Sequence, residues 1–228
     1  GGLVNSSIAV AELARRLRLV NGTGEHDQGA ALALHGIAVA NSAMLLRNGM
    51  ILAILQPAAL AAGAPIVGLM LLICLIVAAL TDGRAREQAA PSIELAAPFS
   101  LRSALYFGAI LVGLSIVGDL AQRAFGAAGF YVASVAGGLV SSASTTATAA
   151  LLASQGKISP DTAGLGAVLT SMTSAAIHAP LIWQAGQSRI VGWRVAQFTA
   201  GTLLVALLAL GVQCSLPIPD VSRTILGW

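Results

Sequence analysis

The sequence predicts an all-α fold: a polytopic transmembrane helical bundle of about seven helices, built as two pseudo-symmetric repeats. Composition is the first reason, because 57% of the 228 residues are hydrophobic and only 9% are charged, whereas about a quarter of an ordinary soluble domain is charged. Second, several apolar runs reach the roughly 20 residues that a helix needs to cross the hydrocarbon core, and the short alternating segments of a transmembrane barrel are absent. Third, the string Gly1-Gly2-Leu3-Val4-Asn5-Ser6-Ser7 returns as Gly137-Gly138-Leu139-Val140-Ser141-Ser142. Paired glycines followed by hydroxyls let two helices approach closely and exchange hydrogen bonds within lipid.

Residues 1–14 are apolar but too few to span, and Arg15, Arg16 and Arg18 stop them at a charged face. The matching segment of the second copy begins well before its glycine pair, near Gly129. The first helix is therefore expected to be incomplete, and the chain to be an excerpt lacking an N-terminal domain. Residues 28–56 form one long segment interrupted by His35, Asn41, Ser42, Arg47 and Asn48. Pro57 closes it, since proline has no amide donor and clashes with the preceding turn. Residues 58–80 make the next span, with Pro65 an expected kink. A hydrophilic linker covers 81–98 and a connecting helix 99–122.

The second Gly-Gly helix is expected to run unbroken from about Gly129 to Ser154. Ser159-Pro160-Asp161 then reads as a helix start, with a hydroxyl cap, proline at the first position and an acid at the positive end of the dipole. Helices follow over about 160–184 and 191–212, before a tail at 214–228. One transmembrane domain over 1–228 thus divides into repeat 1 (1–80) and repeat 2 (128–213).

Each Gly-Gly helix is followed by a basic turn, a helix with a polar centre and a more apolar helix, and Asn41-Ser42-Ala43 aligns with Thr173-Ser174-Ala175. An even number of spans between equivalent helices predicts parallel copies; a re-entrant Gly-Gly segment would make the repeat inverted. For topology, Arg15, Arg16, Arg18, Arg84, Arg86, Arg102, Lys157 and Arg223 fall on one side, and Arg123, Arg189 and Arg194 on the other. The positive-inside rule then predicts a cytoplasmic C-terminus. The formal charge of +3 is spread over loops, which is topology information and not a nucleic-acid footprint.

Cys74 and Cys214 lie in or beside apolar runs, which implies neither a disulfide framework nor a thiolate metal site. No cofactor is expected. The sequence contains no nucleophile elbow, phosphate loop or paired catalytic carboxylates, so it does not read as an enzyme.

On a continuous helix Ser141, Ser144, Thr145 and Thr148 share a face with Gly138. The expected polar centre comprises Asn5, Ser6, Asn41, Ser42, Ser141, Ser142, Ser144, Thr145, Thr173 and Ser174, with Gly1, Gly2, Gly137 and Gly138 as packing positions. Two arrangements fit: a hydroxyl-lined ion path between the repeats, or dry packing with interhelical hydrogen bonds of roughly 0.6–2 kcal/mol each. Glu12, Arg47 and His178 are secondary candidates, because ionisable groups inside a membrane are costly. Glu12 can equally form a snorkelling pair with Arg15 and Arg16, and Arg47 can attract an anion or cap carbonyls. His178 shares a stripe with Ser171 and Ser174 that suits proton relay, weak metal binding or simple satisfaction by a serine. No cluster has metal-ligand spacing.

Gly1 to Ser7 with Ala14-Arg15-Arg16, then Ala40-Asn41-Ser42, Pro98-Phe99-Ser100-Leu101-Arg102, Gly129-Phe130-Tyr131 and Gly137-Gly138-Leu139-Val140, in this order and spacing, resemble the C-terminal domain of unknown function in bacterial MgtC/SapB-family membrane proteins. The resemblance extends to about Val212. It implies a multi-pass protein of the bacterial inner membrane, associated with magnesium or general cation physiology, that follows an N-terminal MgtC-like domain. Related copies carry acidic residues just after the second glycine motif, where this chain has Ser141 and Ala143, which argues against a carboxylate cation site there. The expected partners are the lipid bilayer, that MgtC-like domain and further copies of the chain, with no nucleic acid. The duplicated polar, glycine-rich centre leads to a transport or permeation module for a small ion, and the resemblance tilts the choice towards a cation, with magnesium as the divalent candidate. The alternative is a non-transporting structural or regulatory module acting on the MgtC-like domain or a partner complex.

Overall fold

The computed structural model describes residues 26–86, 101–186 and 189–215. Gly1, Gly2, Asn5, Ser6, Glu12 and the expected first helix lie outside them, as do most of the linker and the tail. The described residues form six helices: α1 (His26–Leu55), α2 (Pro57–Arg86), α3 (Leu101–Val140), α4 (Ser142–Ser154), α5 (Pro160–Gly186) and α6 (Arg189–Ser215). They contain no strand. Three stretches, Ala31–Leu55, Pro57–Thr81 and Ile190–Gln213, are long and apolar enough to cross a membrane, a fourth, Ile116–Val140, has the length and composition but is broken at Gly126, and the chain is an all-helical, multi-pass membrane protein.

Proline and serine set the boundaries. Pro57 does more than end α1: it opens α2, at a position where its missing N–H is not needed. Helix α2 continues past Pro65 without a break. At the start of α5 the Thr162 amide donates to Ser159 Oγ at 3.1 Å, the expected cap.

Helices α1 and α2 form an antiparallel hairpin. His35 Nδ1 lies 3.0 Å from the Ala78 carbonyl oxygen near its open end, and Leu52 and Ala59 meet in one core cluster near its turn. Helices α5 and α6 form a second hairpin, with Ala179 packed against Val191 and Val195 near their connection. The Gln213 amide reaches back from α6 to the Ala62 carbonyl at 2.8 Å. These contacts define two faces: a lower one carrying Gln56 and the α4–α5 loop, and an upper one carrying the start of α1 and the α5–α6 connection.

The expected Gly129–Ser154 span is broken. Gly126, at φ 62° and ψ −149°, interrupts α3 in a conformation open to glycine, and the chain folds back there. A Cβ added at Gly118 would lie 3.8 Å from the Phe130 ring, and one at Gly129 would collide with the Ala121 carbonyl. In a straight helix residues 118 and 130 would stand about 18 Å apart. A second break falls at Ser141, whose backbone is extended (φ −162°, ψ 107°). Helix α4 then returns to the lower face, where Leu152 and Ala153 join Phe130 and Ile158. Residues 127–154 are thus a re-entrant helical hairpin. Its two arms, 127–140 and the 13-residue α4, are each about 20 Å long, shorter than a hydrocarbon core about 30 Å thick.

Three expectations change as a result. Gly138 and Ser141 no longer share a helical stripe with Ser144, Thr145 and Thr148, because Ser141 precedes α4 and Gly138 lies on the other arm. Arg123 and Lys157 are on the same face, since Asp119 contacts Arg123 at 2.9 Å and Lys157 at 3.7 Å. The helices that follow the two Gly-Gly motifs, α1 and α5, run antiparallel: Asn41 bonds His178 while Asn48 bonds Ser171.

Two close backbone approaches fix the bundle. A Cβ at Gly164 of α5 would strike the Ala59 carbonyl and the Ala62 side chain of α2, and one at Gly138 would lie 2.6 Å from the Thr170 carbonyl of α5. Nothing lies within 4 Å of a Cβ added at Gly201. In detergent unfolding titrations Gly164→Ala is expected to lose about 1–3 kcal/mol of stability by overpacking, whereas Gly201→Ala should be neutral or stabilising. Equal effects would contradict the packing.

Candidate functional site

The tip of the re-entrant hairpin is built from hydroxyls because a chain break inside lipid must satisfy its own backbone. The Ser141 amide donates to the Gly137 carbonyl at 2.8 Å, and Thr145 N–H to the Ser141 carbonyl at 3.1 Å. Ser141 Oγ accepts from the Ser144 amide at 3.3 Å and donates to Ser144 Oγ at 3.1 Å. Thr145 Oγ1 donates to the Ser141 carbonyl at 2.8 Å. Ser141 is thereby the N-cap of α4. Arg47 of α1 completes the tip, donating from Nη2 to Ser142 Oγ at 2.9 Å.

Beside the tip runs a polar seam between α1 and α5. His178 Nδ1 lies 2.7 Å from Asn41 Oδ1, and Asn48 Nδ2 donates to Ser171 Oγ at 3.0 Å. Ser171 passes its own proton to the Ala167 carbonyl at 2.9 Å. Thr170 Oγ1 ties α5 to the first arm of the hairpin through the Ser134 carbonyl at 3.0 Å. All of these side chains are at least 98% buried. Among the described residues Asn48 Oδ1, Thr146 Oγ1 and His178 Nε2 are buried and meet no hydrogen-bond partner, each a desolvated group that calls for explanation.

Of the expected centre, Ser141, Ser142, Ser144 and Thr145 come together at the tip, and Asn41 and His178 meet in the seam. Ser42 and Thr173 bond carbonyls of their own helices, Ala38 and Leu169. Ser174 is buried. Arg47 joins the tip itself. Asn48 and Ser171 belong to the site and were outside the expected set, though their spacing carried a signal: Asn41 and Asn48, like Ser171 and His178, are seven residues apart and so share a helix face. Among the described residues no group of His, Cys, Asp and Glu has the geometry to hold a metal ion.

The Asn41–His178 pair makes a direct stability test. Asn41→Leu strands His178 Nδ1 and is expected to cost about 1–3 kcal/mol in unfolding titrations, while the double variant Asn41→Leu/His178→Phe should recover most of it. A single-variant cost near zero would show that the bond is not made.

The family model described as domain of unknown function DUF4010 matches residues 1–186. No curated protein and no solved structure matches the chain. The match takes in the glycine motifs, the hairpin and both seam helices, well over half of the sequence, and the chain belongs to the DUF4010 family.

Proposed function

We propose that the chain is a transport or permeation module for a small ion, made of two copies of one unit that face opposite ways across the membrane, and that the ion is an anion or bears an anionic group. The observation that carries this reading is the hairpin tip. Broken helices whose ends meet near mid-membrane are a recurring way to expose backbone dipoles to a substrate. Here the end concerned is the buried N-terminus of α4, roughly half a positive charge, next to the Arg47 guanidinium. At about 4 Å and an effective dielectric near 20, one unit charge repels another by about 4 kcal/mol, and a divalent cation by about twice that. Magnesium is therefore the poorer candidate at this position.

The inverted-repeat reading is supported by the seam. Ser171 follows Asn41, and His178 follows Asn48, by the same 130 residues, so each polar bond is the other's image under a single shift and exchange of helices. This register differs by two residues from the one that the Asn41-Ser42 and Thr173-Ser174 strings suggest. Charge supports an orientation: Arg84, Arg86, Arg102, Arg189 and Arg194 lie towards the upper face, against Arg123 and Lys157 at the lower. The positive-inside rule then puts the upper face in the cytoplasm of a bacterial inner membrane and the end of α6 on the far side, opposite to the sequence expectation.

One observation favours a second reading. Asn41, Ser42, Ser142, Ser144, Thr145 and Ser174 are all at most 6% exposed, as dry packing requires. In that reading the bundle moves nothing and modulates an adjacent MgtC-like domain.

Flux into proteoliposomes separates the two, with chloride, sulfate, phosphate and Mg²⁺ as probes. The transport reading expects flux of at least one anion, reduced about tenfold or more, the equivalent of roughly 1.4 kcal/mol, by Arg47→Gln and by Ser141→Leu. Asn5→Leu tests the first glycine motif in the same assay. Flux of none of the probes by folded protein would favour the regulatory module, and Mg²⁺ flux that survives Arg47→Gln would overturn the choice of charge.

A further inference from the structure

Helix α5 is the host of the first arm of the hairpin. A Cβ added at Gly166 would lie 2.5 Å from the Phe130 ring and 2.9 Å from Ser134 Oγ, and one at Gly138 would lie 2.6 Å from the Thr170 carbonyl oxygen and 3.1 Å from the Thr173 Cβ. Thr170 Oγ1 also donates to the Ser134 carbonyl at 3.0 Å. Gly166, Thr170 and Thr173 therefore form one helical stripe that receives the arm from Phe130 to Gly138.

The register of the seam finds the same stripe on α1. Ser171 and His178 follow Asn41 and Asn48 by 130 residues, and at that shift Gly166, Thr170 and Thr173 correspond to Gly36, Ala40 and Ala43. The glycine is retained and the other two positions are small. The stripe continues down α1 to Arg47, which bonds Ser142 of the hairpin tip, while Gly36 lies towards the upper face beside His35. On its rim Val39 is 45% exposed.

The arm on α5 ends in Gly137-Gly138-Leu139-Val140, and the same string opens the chain as Gly1-Gly2-Leu3-Val4, outside the described residues. One family model takes in both strings and both host helices. Gly2 precedes Gly36 by 34 residues and Gly138 precedes Gly166 by 28, so the first copy has a connection six residues longer.

We propose that the stripe of Gly36, Ala40 and Ala43 on α1 is the docking groove for the chain's own first glycine motif, residues 1–7. The groove is the counterpart, opened towards the upper face, of the one on α5 that the hairpin fills from the lower face. The proposal rests on the inverted-repeat part of the reading above and requires no transport. It places Asn5 and Ser6 near Ile177, the residue that follows Arg47 by the same 130, so that a guanidinium serves one tip and an aliphatic side chain the other.

The test pairs Gly2→Cys with Ala43→Cys in the full chain carrying Cys74→Ala and Cys214→Ala, reconstituted in bilayers. A short bifunctional thiol reagent is added and the linked peptides are identified by mass spectrometry. The expected result is a link within one chain that is absent when Gly2→Cys is paired with Leu72→Cys on the exposed side of α2. A link between two chains would give the groove to a second copy, and no link in folded protein would leave it to lipid; either result overturns the proposal. Where Gly2→Cys does not fold, Gly36→Ala decides. Its unfolding midpoint should fall as that of Gly166→Ala does, whereas Gly49→Ala, where an added Cβ meets nothing within 4 Å, should hold or rise. A Gly36→Ala midpoint that does not fall would overturn the proposal as well. The Asn41–His178 pair tests the seam and flux tests transport, so a failure of docking is distinct from a failure of either.

Discussion

Inside a bilayer every backbone amide and carbonyl must find a partner within the protein, and the break at Ser141 exists only because its neighbours supply them. Ser141 Oγ caps the Ser144 amide and Thr145 Oγ1 returns to the Ser141 carbonyl, while the backbone closes the Ser141 amide on Gly137 and Ser142 Oγ receives Arg47. Leucine or valine at position 141 would leave the Ser144 amide without that acceptor. The hairpin, the placing of Arg47 and the enclosure of the tip all follow from that local solution.

Enclosure is the second requirement, since irregular backbone is tolerated in a membrane only where protein surrounds it. Helix α5 provides much of it, packing backbone to backbone on the hairpin at Gly138 and on α2 at Gly164. Its polar side chains, Thr170, Ser171 and His178, reach partners on the hairpin and on α1. The outer surfaces of α2 and α6 carry the residues that face lipid, among them Leu72, Leu75, Leu80, Leu204, Leu207 and Leu208.

Composition made the all-helical membrane fold legible, and proline and serine placed the starts of α2 and α5. The glycine and hydroxyl string marked where the chain breaks, but implied a continuous helix there. A run such as Gly137 to Thr148 satisfies a continuous helix and a capped break equally well in one dimension, because Ser and Thr are tolerated within helices and favoured at N-caps. Gly126 gave no signal in the sequence, since a positive φ leaves no trace there beyond the glycine itself. Missing that reversal put Arg123 and Lys157 on opposite faces. The pairing of Asn48 with Ser171 was not legible because it depends on α1 and α5 running antiparallel, and that direction depends in turn on the hairpin.

The double reversal at Gly126 and Ser141 is the claim on which the tip, the seam and the orientation all rest. It is tested most directly by single cysteines at Ala124 and Gln155 in a cysteine-free background, labelled from one side of sealed, oriented vesicles with a membrane-impermeant thiol reagent. The hairpin requires both positions to label from the same side. Labelling from opposite sides, as one straight span over residues 129–154 would give, would contradict it.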